Sequence, residues 1–107
     1  MTPTIAINAN VQWRVARLKS GRFMAVCDPL GVTTEGDDVP DVFGMIGETM
    51  QCLFLDLLMD NELDKFLQDR GWSANKPHEF HPHEEVAFDV PWEVIMTGHG
   101  DPARTFN

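Results

Sequence analysis

A chain of 107 residues has room for one domain and not for two ordinary ones. Its 43% hydrophobic and 23% charged content excludes general disorder, and no uninterrupted apolar run reaches the ~20 residues of a membrane span. The net charge of −9 is uneven: residues 1–27 hold Arg14, Arg17, Lys19 and Arg22 and no acid, which leaves four bases against 17 acids, a balance of −13, from residue 28 onward. Phosphate binding needs clustered positive charge, so direct DNA binding is not expected. An electropositive protein partner suits that surface; the plainer alternative is that acidity keeps a small bacterial-type protein soluble.

In chain order, residues 1–10 lack the basic start and apolar centre of a signal peptide, which points to the cytoplasm. Ile5 and Ile7 alternate weakly there and extend the first strand. Val11, Trp13 and Val15 alternate with Gln12 and Arg14 as a half-buried strand does. Lys19-Ser20-Gly21 is a turn, and Phe23, Ala25 and Cys27 resume the alternation, so the two strands form a hairpin. A second turn, Asp28-Pro29-Leu30-Gly31, leads to a short strand over 32–35 that ends at Gly36. Asp37, Asp38 and Asp41 crowd the next helix start, where carboxylates cap backbone N–H groups, and Pro40 suits a first turn.

Residues 41–59 read as a helix around which the chain is organised. Val42, Ile46, Met50, Leu53 and Leu57, with Phe43, Phe54 and Leu58 beside them, recur at three- and four-residue steps. That apolar arc is broader than one core requires. Gly44 and Gly47 each cost about 1 kcal/mol relative to Ala and leave room for another backbone. Asp60-Asn61 ends the helix; Leu63, Phe66 and Leu67 mark a short second one, with Gly71 as its stop and Trp72 packing back. Residues 73–85 read as a loop. Over 86–97 the even positions Val86, Phe88, Val90, Trp92, Val94 and Met96 are apolar, a long strand in which Pro91 marks an edge, a bulge or a break. Residues 98–107 are a short tail.

The expected fold is one α+β domain over residues 1–107: a three-stranded antiparallel sheet packed by one long helix, a short second helix and a late long strand, in the order β-β-β-α-α-β. Its core is 11–72, followed by the loop 73–85, the strand 86–97 and the tail. A homodimer or higher assembly is expected, with two interface candidates: Cys52, Leu55 and Met59 on the helix, and Val86, Phe88, Val90 and Trp92 on the strand.

The run Cys27-Asp28-Pro29-Leu30-Gly31-Val32-Thr33-Thr34-Glu35-Gly36-Asp37, between a hairpin and an apolar helix, resembles the HicB-like antitoxin family over about residues 11–59. The resemblance implies a β-β-β-α-β fold described as a partial ribonuclease-H-like domain. It also implies a role in binding and blocking a small basic RNA-cleaving toxin of the HicA type. Many members add a DNA-binding segment after this domain; the tail here is too short for one, and residues 62–84 stand as an insertion before the family's fourth strand. The alternatives are a stand-alone oligomeric accessory protein and a metal-binding or metal-dependent nuclease role for the loop 78–85.

No catalytic residue and no cofactor is assigned. His81 and His83, near His78, Glu79, Glu84 and Glu85, are weak metal candidates, because a site needs fixed geometry and outer support as well as ligands. Asp28, Glu35, Asp37 and Asp38 are better explained by turns and capping than by a nuclease centre. Cys27 and Cys52 read as two small buried hydrophobes rather than a disulfide.

Overall fold

The computed structural model describes residues 3–76 and 85–97. The protein is mixed α+β with two sheets and two helices among those residues: β1 (Thr4–Asn8), β2 (Val11–Arg17), β3 (Phe23–Cys27), β4 (Val32–Gly36), α1 (Val39–Met59), α2 (Leu63–Gln68), β5 (Ser73–Asn75), β6 (Ala87–Asp89) and β7 (Trp92–Thr97). The chain divides into two compact units. One takes Met1–Asn10 and Met50–Pro91; the other takes Val11–Thr49 and the residues from Trp92 onward.

The second unit holds a four-stranded sheet ordered β4-β3-β2-β7. β2, β3 and β4 form the expected antiparallel meander, with Val15 opposite Ala25 and Ala25 opposite Thr34. Their alternation buries Val11, Trp13, Val15, Ala25 and Cys27, and the first half of α1 adds Val42 and Ile46 to that core. Trp13 is fully buried and its indole Nε1 has no hydrogen-bond partner among the described residues. The sheet differs from expectation at its other side, where β7 joins β2 in parallel, Val11 opposite Trp92 and Ala16 opposite Thr97. Strand periodicity reports a buried face but not a partner, and this pairing spans most of the chain.

The passage from β4 into α1 is set by side chains on both sides of it. Asp38 Oδ1 accepts from the Asp41 N–H (2.8 Å), and Asp41 Oδ2 accepts from the Asp37 N–H (2.8 Å), a reciprocal cap of the kind that satisfies orphan donors at a helix start. At Gly36 a Cβ would stand 2.4 Å from the Val42 nitrogen and 2.6 Å from its Cα, so only glycine lets the end of β4 pass the first turn of α1. Gly44 and Gly47, in contrast, leave room for a Cβ: among the described residues nothing outside their own turn of the helix lies within 4 Å of where it would stand.

In the first unit β1 stands between β5 and β6: antiparallel to β5, Asn8 opposite Ser73, and parallel to β6, Ala6 opposite Asp89. Ile5 and Ile7 turn inward with Met50, Phe54 and Leu58 of α1 and Leu63 and Leu67 of α2. Phe88 stacks on Phe54 at 5.7 Å. Both helices end in a left-handed residue, Asn61 (φ 63°) and Gly71 (φ 77°), which lets Glu62 N–H reach Leu57 O and Trp72 N–H reach Leu67 O, each 2.8 Å.

Three expectations are therefore corrected. β1 belongs to a second sheet rather than prolonging β2. Residues 73–75 are a strand and not loop: Ser, Ala and Asn have poor strand propensity, and the ladder to β1 overrides it. The long strand breaks at Val90-Pro91 into β6 and β7, which belong to different sheets; a proline lacking an N–H suits such a break. The 21-residue α1, whose most apolar 18-residue stretch has a mean hydropathy of 1.4, is also long and apolar enough to cross a membrane despite Glu48 and Asp56. Its stripe Val42, Ile46, Met50, Phe54 and Leu58 is buried within the chain.

Replacing Gly36 with Ala is expected to lower stability by about 1–3 kcal/mol or more, because the added methyl meets backbone. Gly44→Ala is expected to raise it by about 1 kcal/mol. Urea denaturation of the two variants beside the parent chain checks both signs.

Candidate protein-interaction surface

The acid-rich side of the four-stranded sheet is partly neutralised by its own arginines. Arg14 Nη2 bonds both Asp28 oxygens (3.1 and 2.9 Å), and Arg22 reaches Glu35 (3.4 Å) and Asp37. These pairs are solvent-exposed, and such pairs contribute about 0–1 kcal/mol each. Around the β4–α1 joint, Glu35, Asp37, Asp38 and Asp41 set four carboxylates against Arg22. Of these, Glu35 and Asp37 pair with Arg22 and Asp38 and Asp41 serve the cap, while the β2–β3 turn brings Arg17 and Lys19 to the same end of the sheet. Among the described residues no three His, Cys, Asp or Glu side chains are grouped to hold a metal ion.

The two cysteines are free and differ in environment. Cys27 is buried, and desolvation pushes its thiol pKa up, with the Asp28 charge adding to the rise against backbone hydrogen bonds at Leu30 and Gln12. A thiol so held is a poor nucleophile. Cys52 is exposed on α1, contrary to the expectation of a buried hydrophobe.

Beside Cys52, Leu55 is half-buried and Met59 is 55% exposed. Of the strand candidates, Val86 is only 3% exposed and its side chain is spent on the core; Phe88 and Val90 are half-buried, and Trp92 is 36% exposed. Three further apolar side chains at the surface were missed in the sequence: Phe43 (36%), Ile95 (42%) and Met96 (50%). Phe43 meets Trp92 edge-to-face, centroids 6.1 Å apart at 78°, so helix and strand share one apolar strip. Its only signal in the sequence was the unusual width of the helix's apolar arc. His78, His81, His83, Glu79 and Glu84 lie outside the described residues; Glu85 is exposed.

Gln51, which reads as polar surface, instead serves the first unit's interior. Its Nε2 donates to Val86 O (2.6 Å) and its Oε1 accepts from the Phe88 N–H (3.3 Å), holding the entry to β6. Beside β5-β1-β6, Asn8, Ser73, Asn75 and Asp89 together with Ala6, Ile7, Ala74 and Pro91 line an open cavity of about 330 Å³.

Scanned against protein-family models, curated proteins and solved structures, the chain has no match. A functional reading therefore rests on its own residues.

Gln51→Ala is expected to cost about 1–3 kcal/mol, since it leaves a buried acceptor and donor without their partner; thermal denaturation measures it. With iodoacetamide on the native protein, Cys52 is expected to alkylate readily and Cys27 only after unfolding, which peptide mass spectrometry resolves.

Proposed function

We propose that the chain is a non-catalytic, cytoplasmic protein-binding module of the HicB-like antitoxin type, which neutralises a small basic RNA-cleaving toxin of the HicA type. The observation that carries the reading is the run 27–37 in its structural setting. Gly31, at φ 70°, closes the β3–β4 turn by donating its N–H to Cys27 O (2.9 Å). Gly36 admits the first turn of α1, and Asp37 joins the cap. Gly31 thus serves the β3–β4 turn, and Gly36 and Asp37 serve the passage into α1. The order β2-β3-β4-α1, with β7 returning beside β2, is compatible with the β-β-β-α-β arrangement the resemblance implies. β1, α2, β5 and β6 are additions to it.

The cluster of carboxylates Glu35, Asp37, Asp38 and Asp41 supports an electropositive partner. Inhibition would be steric and electrostatic: the cluster occupies the cationic surface with which a ribonuclease holds RNA. Long-range attraction of this kind speeds association and weakens with salt.

Co-expression with the small basic product of an adjacent gene tests the reading. The expected outcome is a stable complex and rescue of growth. Glu35→Lys with Asp37→Lys is expected to weaken the complex at least tenfold and to flatten its salt dependence. Absence of both complex and rescue contradicts the assignment. The stand-alone oligomer remains as a second reading because β7 exposes an apolar edge. The metal-dependent alternative falls on residues outside the described ones, Glu85 excepted.

A further inference from the structure

β7 is an outer strand. β2 covers one of its edges, and no described residue pairs with the other. An open edge presents a row of N–H and C=O groups to any incoming strand, and natural sheets blunt such edges with charge, proline or a bulge. Between Trp92 and Thr97 this one carries a single charge, Glu93, whose carboxylate already accepts from Gln12 Nε2 (3.0 Å). Trp92 and Ile95 are exposed on alternate faces, Met96 is half exposed beyond them, and Phe43 extends the strip from Trp92 onto α1. Next to Phe43 the helix surface is bare at Gly44 and Gly47.

We propose that this edge is a homodimer interface, in which the β7 strands of two copies pair antiparallel about a two-fold axis at Val94. Charge selects a second copy over a foreign basic protein. A cationic partner finds one carboxylate here, already bonded, whereas two chains of net charge −9 repel except where the facing surfaces are uncharged. Spacing selects it again. A two-fold axis perpendicular to the sheet keeps every side chain on its own face, so residues that meet are an even number apart. About Val94, Trp92 of one copy meets Met96 of the other, and the same pair forms again on the far side of the axis. Each is a sulfur–aromatic contact. Glu93 meets Ile95 and not its own copy. A six-residue strand is about 20 Å long, so the strip falls short of the ~800 Å² per partner of a standard interface and the dimer belongs to the weak class, with Kd roughly micromolar. The proposal concerns the chain alone and does not rest on the antitoxin reading.

Light scattering across a concentration series tests it. The parent chain is expected to rise from its 12.1 kDa monomer mass toward twice that value. Met96→Lys, at a half-exposed site, is expected to stay at the monomer mass throughout. In a Cys52→Ala background, a short bis-maleimide is expected to join Ile95→Cys chains into covalent dimers and to leave Glu48→Cys chains single. A parent chain that stays monomeric across the series overturns the proposal. So does a Met96→Lys chain that associates as the parent does, or Ile95→Cys linkage no faster than that of Glu48→Cys.

Discussion

α1 has to furnish the core of two units with one continuous stripe. Val42 and Ile46 are buried with the four-stranded sheet's unit, and Met50, Phe54 and Leu58 with the three-stranded sheet's unit. A four-residue step advances about 40° beyond a full turn, so the buried line winds around the helix as it goes. Gln51 bonds to the backbone of β6's unit, and Gly44 and Phe43, nearer the start, are exposed. Where α1 begins is decided just before it, by the Asp38–Asp41 cap and the close passage of Gly36 against Val42.

The surface that remains divides by chemistry. The β4–α1 joint carries exposed carboxylates, two of them tied to the backbone by the helix cap. The β7 edge is nearly uncharged and carries open main-chain groups. The buried Cys27 is driven toward its neutral thiol, and the carboxylates near it are engaged by arginines and helix N–H groups.

Local structure was legible in the sequence wherever local physics determines it. The β2–β3–β4 meander follows from alternation and two glycine-bearing turns, α1 and α2 follow from helical periodicity, and their ends follow from Asp, Asn and Gly. What escaped was long-range pairing. Nothing in Ser73-Ala74-Asn75 predicts a strand; β1 makes it one. The even-position pattern of 86–97 was real, yet it could not tell that Pro91 separates strands of two different sheets, nor that Val86 would be buried while Met96 stayed at the surface. The exposed apolar side chains were half legible for the same reason: Trp92 was singled out from its pattern, but Phe43 and Met96 were hidden within stripes that otherwise go to core.

The most direct measurement is amide hydrogen exchange on the chain as a function of its concentration. If β7 is a docking edge, the amides of residues 92–97 slow as concentration rises while those of β4, the opposite outer strand, exchange unchanged. If β7 exchanges at the rate of an open edge at every concentration, the edge is not used between copies, and the apolar strip of Phe43, Trp92 and Met96 needs another explanation.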